Sequence, residues 1–276
     1  MTVLLMRNTP DPDRLVALAA RRCYSARAAG EIEERLSLEE IERLLDYLRQ
    51  RNHLSPFEHA EFTFSVDGVS RALSHQLVRH RIASYSQESQ RYVNYLKVQQ
   101  LPYVVPPSIA ENPEAAEIYR RALDVTLTAY RDMVNVGVKP EDARYVFPNA
   151  IETKLIFTFN ARSLFNFFEQ RCCIKAQWEI RNLAFDMLKA VRKVAPLGRA
   201  LEGGHRGGLV GVDAAAAEGV QRTGVAAVEL ARQIVRIEGE PGARRRGLGE
   251  FEHEDHARYS TPSVTDLRHT TWRSRS

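Results

Sequence analysis

The strongest constraint on the fold is an abrupt change of composition near Leu197. Of the 15 glycines in the chain, 12 lie between Gly198 and Gly249, and residues 197–276 contain no lysine, no cysteine and one phenylalanine. Such a segment buries too little apolar surface to offset the conformational entropy that folding removes. We therefore expect one folded domain over residues 1–196 and, over residues 197–276, a poorly ordered tail rich in glycine, arginine and alanine with one helix.

Charge and cysteine usage limit the class of protein. The 276 residues carry a formal net charge of +4, which suits an anionic ligand but is too small to indicate nucleic acid by itself. An odd count of three cysteines argues against a disulfide framework and for a reducing compartment. The apolar run TVLLM near the N-terminus is too short for a signal peptide or a membrane span. These features predict a cytoplasmic protein with no membrane partner.

Strands and helices are mixed along the first 196 residues. Alternation in EFTFSVDG (61–68) and KLIFTFNA (154–161) predicts strands, with a glycine turn after the first, and TVLLM (2–6) predicts a short buried strand. A capping box from Ser37 to Glu40 opens one of the predicted helices. Those helices cover residues 11–24, 37–52, 69–81, 112–137, 162–173 and 176–196. The expected fold class is therefore α/β in the mixed α+β sense, a central sheet with a helical part.

The stretch RHRIASYSQESQRY (79–92) concentrates side chains that suit a flat, anionic ligand. If the helix over 69–81 continues to its end, Gln76, Arg79 and His80 share one face and Arg81 points elsewhere. The planar fork of arginine makes paired hydrogen bonds to phosphate, and SYSQESQRY adds hydroxyls, amides and a further arginine in a short loop. These groups fit a nucleotide. Cations at the end of a helix also complement the helix dipole. The spacing alone is therefore also compatible with a solvated helix end that binds no ligand.

A second set of polar side chains lies on a helix rich in phenylalanine, FNARSLFNFFEQRCC (159–173). Arg162 and Asn166 are four residues apart and share a face, while Arg171 lies late in the helix, where a cation is favourable. Asn160 suits the N-cap of this helix as well as a ligand contact, and both interpretations stay open. Polar side chains among phenylalanines are more typical of a ligand cleft than of a solvent-facing helix.

A third element, HLSPFEHAEF (53–62), contains polar side chains in a turn before a strand, namely His53, Ser55, Glu58 and His59. The sequence offers no paired cysteines or close histidine pair at the spacing of metal ligands, so we expect no metal site. Cys172 and Cys173 are expected in the core, because adjacent side chains point apart and no partnering histidine is indicated for a catalytic thiol.

Together the three elements resemble the flavin-dependent thymidylate synthase family. The family's signature is R-H-R followed, after seven residues, by S, and it is matched by Arg79-His80-Arg81, IASYSQE and Ser89. SPFEHAEFTF upstream, and FNARSLFNFFEQR and AQWEIR downstream, follow in order and at compatible spacing. The resemblance covers residues 1–196 and does not extend to the tail.

The resemblance implies a reaction and an assembly. The reaction is the reductive methylation of deoxyuridine monophosphate (dUMP) to thymidine monophosphate (dTMP). Methylenetetrahydrofolate supplies the carbon, and reduced FAD, recharged by NADPH, supplies the hydride. The implied partners are therefore dUMP and folate small molecules rather than nucleic acid. The implied fold is an α/β sheet with a helical part, assembled as a homotetramer whose sites lie between subunits.

The resemblance also implies which residues form the site. The dUMP contacts would be Gln76, Arg79, Gln87, Ser89, Gln90, Arg91, Arg144 and Arg171. The FAD contacts would be His53, Ser55, Glu58, Arg79, His80, Arg81, Gln87, Asn160, Arg162 and Asn166. Arg171 would be catalytic, holding the uracil edge so that a fixed cation favours ionisation of the ring nitrogen. Ser89 would bind the nucleotide rather than attack it.

Two positions depart from the family pattern. Lys175 stands where some members have histidine near the flavin, so that contact is in question. Gln87 stands where some members have glutamate, although an amide also forms hydrogen bonds to a ribose or a base.

Two other functions compete with this interpretation. A thymidylate synthase with a cysteine nucleophile would need an activated thiol beside a base, and no cysteine of this chain has such a setting. A basic RNA-binding module would stack bases on Tyr85, Tyr92 and Tyr95, which alternate with basic residues, and would bind no flavin. Bound flavin therefore discriminates between the RNA-binding module and the flavin enzyme.

Overall fold

Among the residues that the structure describes, four antiparallel strands form one sheet. The computed structural model describes residues 1–93 and 95–195, so the expectations for the tail over 197–276 lie outside the described residues. The strands are β1 (Thr2–Asn8), β2 (Glu61–Ser70), β3 (Ala83–Gln87) and β4 (Glu152–Asn160), in the order β1-β2-β4-β3. All neighbouring strands run antiparallel. The predicted mixed α+β class with a central sheet is confirmed.

The helical part consists of the segments that precede, connect and follow these strands. The helices are α1 (Pro12–Arg22), α2 (Ala29–Arg35), α3 (Leu38–Gln50), α4 (Arg71–Leu77), α5 (Pro107–Ala110), α6 (Pro113–Asn135), α7 (Pro140–Ala143), α8 (Ala161–Arg171) and α9 (Trp178–Val194). Two 3₁₀ turns cover Ser55–His59 and Arg144–Val146. Within the described ranges, no helix has both the length and the apolar character needed to cross a membrane.

The two faces of the sheet differ in what covers them. On the inner face, the row Leu5, Phe64, Phe157 and Tyr85 crosses all four strands and packs into the main apolar core. The next row, Leu4, Ser65, Ile156 and Ser86, lies on the outer face, where Leu4 is 58% and Ile156 45% exposed. The prediction that TVLLM is a buried strand is therefore wrong for its outer side, because β1 is an edge strand with one solvated face.

Helices α1, α3, α8 and α9 supply most of the main core on the inner face of the sheet. A second, smaller core surrounds Tyr130 of α6 and contains Tyr95, Leu101 and Ile151. Helix α4 is attached to both cores. Leu73 and Leu77 belong to the main one, while the Arg71 N–H donates to the carbonyl of Ile151 in the second at 3.0 Å. The position of α4 therefore depends on both cores.

The helix starts follow the sequence signals closely. The predicted capping box is confirmed, since the Ser37 side chain accepts from the Glu40 N–H and the Glu40 carboxylate accepts from the Ser37 N–H. Asn112 caps α6 by accepting from two backbone N–H groups, and Gln177 caps α9 in the same way. Each cap pairs backbone donors that no residue inside the helix reaches.

Two predicted boundaries near β2 are wrong. Gly68 is not in a turn after the strand but within β2, where its φ of 69° accompanies a shift of register between Val66 and Val69. A glycine tolerates this left-handed conformation at a bulge without a steric penalty. Residues 84–87, the first part of the expected loop SYSQESQRY, belong instead to β3, in which each residue pairs with one of β4. Helix α2 was not predicted from the sequence.

Candidate active site

The two arginines and the histidine of the RHR stretch lie in a turn between α4 and β3. The helix predicted over 69–81 ends at Leu77, and the His80 N–H donates to the Leu77 carbonyl at 3.1 Å. The hydroxyl of Tyr85 lies 2.9 Å from the Leu77 carbonyl oxygen and 2.8 Å from that of His80, so it holds the turn from its β3 side. Burial raises the pKa of Tyr85, which stays a neutral donor. This tertiary contact accounts for the early helix end.

Arg171, the last residue of α8, reaches this turn. Its Nε–H donates to His80 Nε2 at 3.0 Å, and its Nη2 donates to the Gln76 carbonyl oxygen at 3.4 Å. The His80 ring also packs edge-on against Phe167, with ring centroids 5.0 Å apart. Arg171, about 90 residues further along the chain, therefore contacts both His80 and the backbone carbonyl of Gln76.

The state of His80 follows from its surroundings. The residue is 9% exposed, and this burial lowers its pKa to about 4, with the charge of Arg171 adding to the effect and a hydrogen bond with Asn166 opposing it. Because arginine only donates, His80 Nε2 must be unprotonated to accept from Arg171. His80 is therefore a neutral acceptor at physiological pH.

Positive charge accumulates beside this contact. Burial lowers the pKa of Arg171, and the nearby charge of Arg79 lowers it further. An anion bound beside both guanidinium groups would relieve this repulsion. The arrangement therefore suits a phosphate or a developing anion on a ring.

Arg91 and Arg144 meet through Glu141 of α7. Arg91 Nε donates to the Glu141 carboxylate at 2.9 Å, and Arg144 Nε donates to the Glu141 carbonyl oxygen at 2.9 Å. Ser89 begins the turn that carries Arg91, since the Ser89 carbonyl accepts from the Tyr92 and Val93 N–H groups. The neighbouring Gln90 is buried. Arg91 and Arg144 thus form a second set of contacts through Glu141, and the predicted dUMP residues Ser89 and Gln90 directly precede Arg91.

Gln87 holds two buried hydroxyls together. Its Nε2 donates to Ser74 Oγ of α4 and to Thr153 Oγ1 of β4, each at 3.1 Å. Ser74 and Thr153 are almost inaccessible to solvent. The amide therefore fits this position and joins β3 to α4.

The remaining predicted FAD residues are mostly exposed. Asn160 is the N-cap of α8, because its Oδ1 accepts from the Ser163 N–H at 2.8 Å. Arg162 forms an ion pair with Glu58, which the packing of Phe57 on Phe165 brings next to α8. Four residues, Asn166, His53, Ser55 and Arg81, have exposed side chains. The last three join none of the contacts described above.

Arg71 is a candidate that the sequence did not single out. It is half-buried at the start of α4, and this burial lowers its pKa, with Tyr95 and Glu88 opposing the effect and Arg144 adding to it. Its nearness to Arg144 places it beside the second set of contacts. The signal in the sequence was an arginine within the apolar pattern of α4. That pattern does not indicate which distant residue the arginine lies close to.

The structure also bears on the competing functions. Cys172 is buried and its pKa is raised by that burial to about 12, which does not suit a nucleophilic thiolate. Of the tyrosines proposed to stack bases, Tyr95 is 2% exposed and the Tyr85 hydroxyl is engaged inside the fold, so only Tyr92 is accessible. Within the described ranges, no cluster of three histidine, cysteine or acidic side chains has the arrangement of a metal site.

A family model and several known enzymes match this chain. A family model described as thymidylate synthase complementing protein matches residues 4–197. A flavin-dependent thymidylate synthase of Geobacter sulfurreducens is 50% identical over 196 residues, which are 71% of this chain and 84% of the relative. The enzymes of the same name from Clostridium tetani and Pyrococcus furiosus are 49% and 42% identical over 210 and 193 residues, covering 70% and 69% of this chain and 83% and 79% of the relatives. The chain belongs to the flavin-dependent thymidylate synthase family.

Proposed function

We propose that this protein methylates dUMP to dTMP, with methylenetetrahydrofolate as carbon donor and reduced FAD, recharged by NADPH, as hydride donor. The observation that carries the proposal is the contact of Arg171 with His80 and Gln76, with the charge of Arg79 beside it. Family membership supplies the reaction, and these contacts give a physical reason for an anionic nucleotide at this place.

The nucleotide contacts are proposed on the two sets of side chains around α4. The phosphate is assigned to arginine forks, which make paired charge-assisted hydrogen bonds, and the base to amides and hydroxyls. The proposed dUMP residues are Gln76, Arg79, Gln87, Ser89, Gln90, Arg91, Arg144 and Arg171. We add Arg71, because it is half-buried close to Arg144. Ser89 binds the nucleotide and does not attack it.

Arg171 is proposed as the catalytic residue. A guanidinium has five N–H donors, and two groups of Arg171 are engaged by His80 and Gln76, so donors remain for the uracil edge. A cation fixed beside the ring lowers the free energy of a developing uracil anion. The neutral imidazole of His80 orients the Arg171 guanidinium and does not neutralise its charge.

The residues present fit a flavin nucleotide. FAD carries a diphosphate and a flat ring, and the candidate contacts offer arginines, amides and hydroxyls on a helix that presents polar groups above packed phenylalanines. The proposed FAD residues are His53, Ser55, Glu58, Arg79, His80, Arg81, Gln87, Asn160, Arg162 and Asn166. FAD supplies the hydride chemistry when bound, while these side chains bind it, orient it and exclude water.

The assembly is proposed as a homotetramer with sites shared between subunits. His53, Ser55 and Arg81 are exposed and stand outside the contacts made around Arg171. Residues from a neighbouring chain would complete such a site, so exposed FAD residues are expected. We also propose a cytoplasmic location, since an odd count of three cysteines argues against a disulfide framework and for a reducing compartment.

Flavin retention and product formation test the proposal together. The purified full chain, incubated with FAD and passed over a desalting column, is expected to keep flavin absorbance and to form dTMP from dUMP, methylenetetrahydrofolate and NADPH. Arg171→Ala is expected to keep its flavin and to lose roughly ten- to a hundredfold in kcat/KM, because a charge-assisted contact contributes about 1.5–3 kcal/mol.

The matched variant Arg171→Lys keeps the charge and removes the planar fork, so its loss is expected to be intermediate. A wild-type protein that retains no flavin and forms no dTMP would refute the proposed function. Equal turnover in wild type and Arg171→Ala would refute only the role of Arg171.

A further inference from the structure

A buried carboxylate lies outside all the contacts assigned so far. Glu179, in the first turn of α9, is 3% exposed. Its Oε1 accepts from the Ser70 backbone N–H at 2.7 Å, and its Oε2 accepts from the Ser70 hydroxyl at 2.5 Å. Burial of a carboxylate is unfavourable unless it is hydrogen-bonded in this way, so a structural or functional reason for its presence is expected.

Ser70 is the corner at which β2 turns into α4. It pairs with Glu152 as the last residue of the strand, and it is the N-cap of the helix, its Oγ accepting from the Leu73 N–H at 3.0 Å. The hydroxyl of Ser70 therefore donates to Glu179 and accepts from α4 at the same time. Glu179 fixes both the backbone and the side chain of this corner.

The far end of α4 leads directly to the proposed nucleotide site. Helix α4 has only seven residues, about 10 Å at the rise of an α-helix, and it carries Gln76 and then the turn with Arg79 and His80. A rotation at Ser70 therefore displaces these groups relative to Arg171. We propose that Glu179 is a positioning residue of the nucleotide site, acting through Ser70 to fix the direction in which α4 presents Gln76 and the Arg79–His80 turn.

The chemistry of the corner selects a carboxylate. Ser70 offers two donors, an N–H and an O–H, and a carboxylate accepts from both without offering a donor of its own. A glutamine would supply one acceptor and one donor, so at least one of these contacts must rearrange. Because the corner is buried, each unmet contact is costly. This inference rests on the proposed function for its link to dUMP, but not for its link to α4.

The full chain is tested through Glu179→Gln, with Ser70→Ala as a second variant and Ser70→Thr as the conservative one. Hydrogen exchange of the amides of residues 71–77 is expected to become faster in the first two variants. The KM for dUMP is expected to rise about tenfold, the effect of one lost hydrogen bond in a buried place, while flavin retention and kcat change little. Ser70→Thr keeps a hydroxyl and is expected to restore wild-type KM.

A control separates positioning from general loss of stability. Ser37→Ala removes the capping box of α3 and is expected to lower the melting temperature without changing the KM for dUMP. The double variant Glu179→Gln with Ser70→Ala is expected to show less than the sum of the two single effects, since both changes act on the hydrogen bond between the Ser70 hydroxyl and Glu179. Ser70→Ala also removes the oxygen that caps α4.

Each outcome decides the inference. Wild-type KM together with unchanged exchange in Glu179→Gln would overturn it, and so would a KM in Ser37→Ala that rises as much as in Glu179→Gln. If Glu179→Gln does not fold, Ser70→Ala and Ser70→Thr decide by the same two measurements. If the wild-type protein forms no dTMP, the proposed function fails, and the exchange data alone still confirm or refute the action of Glu179 on α4.

Discussion

His80 and Arg171 depend on each other through one proton. Arg171 donates to a ring nitrogen that accepts only while His80 is neutral, and burial keeps the pKa of His80 at about 4. Protonation would place a second cation against Arg171 and remove the acceptor. The orientation of the proposed catalytic guanidinium is therefore coupled to the charge of its neighbour.

Acid should weaken the fold through His80. The unfolded histidine has a pKa near 6.5 and the folded one is lower, so the unfolded state binds more protons and stability falls as the pH falls between these values. From pH 7 to pH 5 this linkage removes about 2 kcal/mol from the free energy of unfolding. His80→Gln, which cannot be protonated, is expected to lack this part of the loss.

Urea denaturation of both proteins at pH 7 and pH 5 measures the difference, since losses from all other groups are common to the pair. An identical pH dependence in the two proteins would mean that His80 has the same pKa in the folded and the unfolded state.

At the scale of elements, the caps set where helices begin, and tertiary contacts set where they end. Asn160 closes β4 and caps α8 with its Oδ1, so the residue proposed to bind FAD already has a task in the fold. Its amide group still has donors for a ligand. The two tasks use different atoms of one side chain, and a substitution that changes only one of them separates the two.

Asn160→Ala and Asn160→Asp make this separation. The alanine variant loses the cap and is expected to unfold with about 1 kcal/mol less free energy. The aspartate variant keeps a capping oxygen and is expected to stay near wild type in stability, but to bind FAD more weakly because the amide donor is gone. Thermal melts and flavin titration measure the two effects. Unchanged flavin affinity in Asn160→Asp would remove Asn160 from the cofactor contacts.

The elements with local signals were predictable from the sequence. The alternation of EFTFSVDG and the capping box at Ser37 are written within a few residues, and both are confirmed. Strand β3 was missed because its identity as a strand comes from pairing with β4, about 70 residues later. Helix α4 was predicted to be too long. The turn after it is held by the Tyr85 hydroxyl, and Tyr85 lies on β3, which was not predicted.

The site follows the same rule. Polar residues of the RHR stretch and of α8 were predicted from their side-chain chemistry and spacing, and the family resemblance added their roles. In the structure Arg171 contacts His80 and the backbone carbonyl of Gln76. Arg71 and Glu179 were missed because their importance comes from Arg144 and Ser70, which lie far from them in the sequence. No local pattern records such partners.

At the scale of the whole molecule, α4 is held by both apolar cores. Leu73 and Leu77 lie in the main core, and the Arg71 and Ala72 N–H groups donate to Ile151 and Asn149 near the second. All residues proposed to contact dUMP or FAD lie between His53 and Arg171, and these residues and Glu179 lie within the range matched by the family model. The predicted domain over residues 1–196 therefore contains every group that the proposed chemistry uses.

A chain that ends at Leu197 is accordingly expected to bind FAD, to form the same oligomer as the full chain and to make dTMP at a similar rate. The physical reason is that α9 ends at Val194 and already completes the described core. Light scattering, flavin absorbance and dTMP formation check the three properties. A shortened chain that falls to monomers or loses its flavin would place residues 198–276 in the assembly.

The amide of Gln87 fixes which groups donate and which accept in the hydrogen bonds that link β3 to α4. Its nitrogen donates to the Ser74 oxygen, and the Ser74 hydroxyl in turn donates to the Arg71 carbonyl. Both hydrogen bonds are therefore donated in the same direction, from Gln87 towards the first turn of α4. A carboxylate in that place could only accept, so the Ser74 hydroxyl would have to donate to it and would give up its hydrogen bond to the Arg71 carbonyl. An amide also neither gains nor loses a proton at physiological pH. Acidification therefore leaves the direction of these hydrogen bonds unchanged, even at a pH that protonates His80.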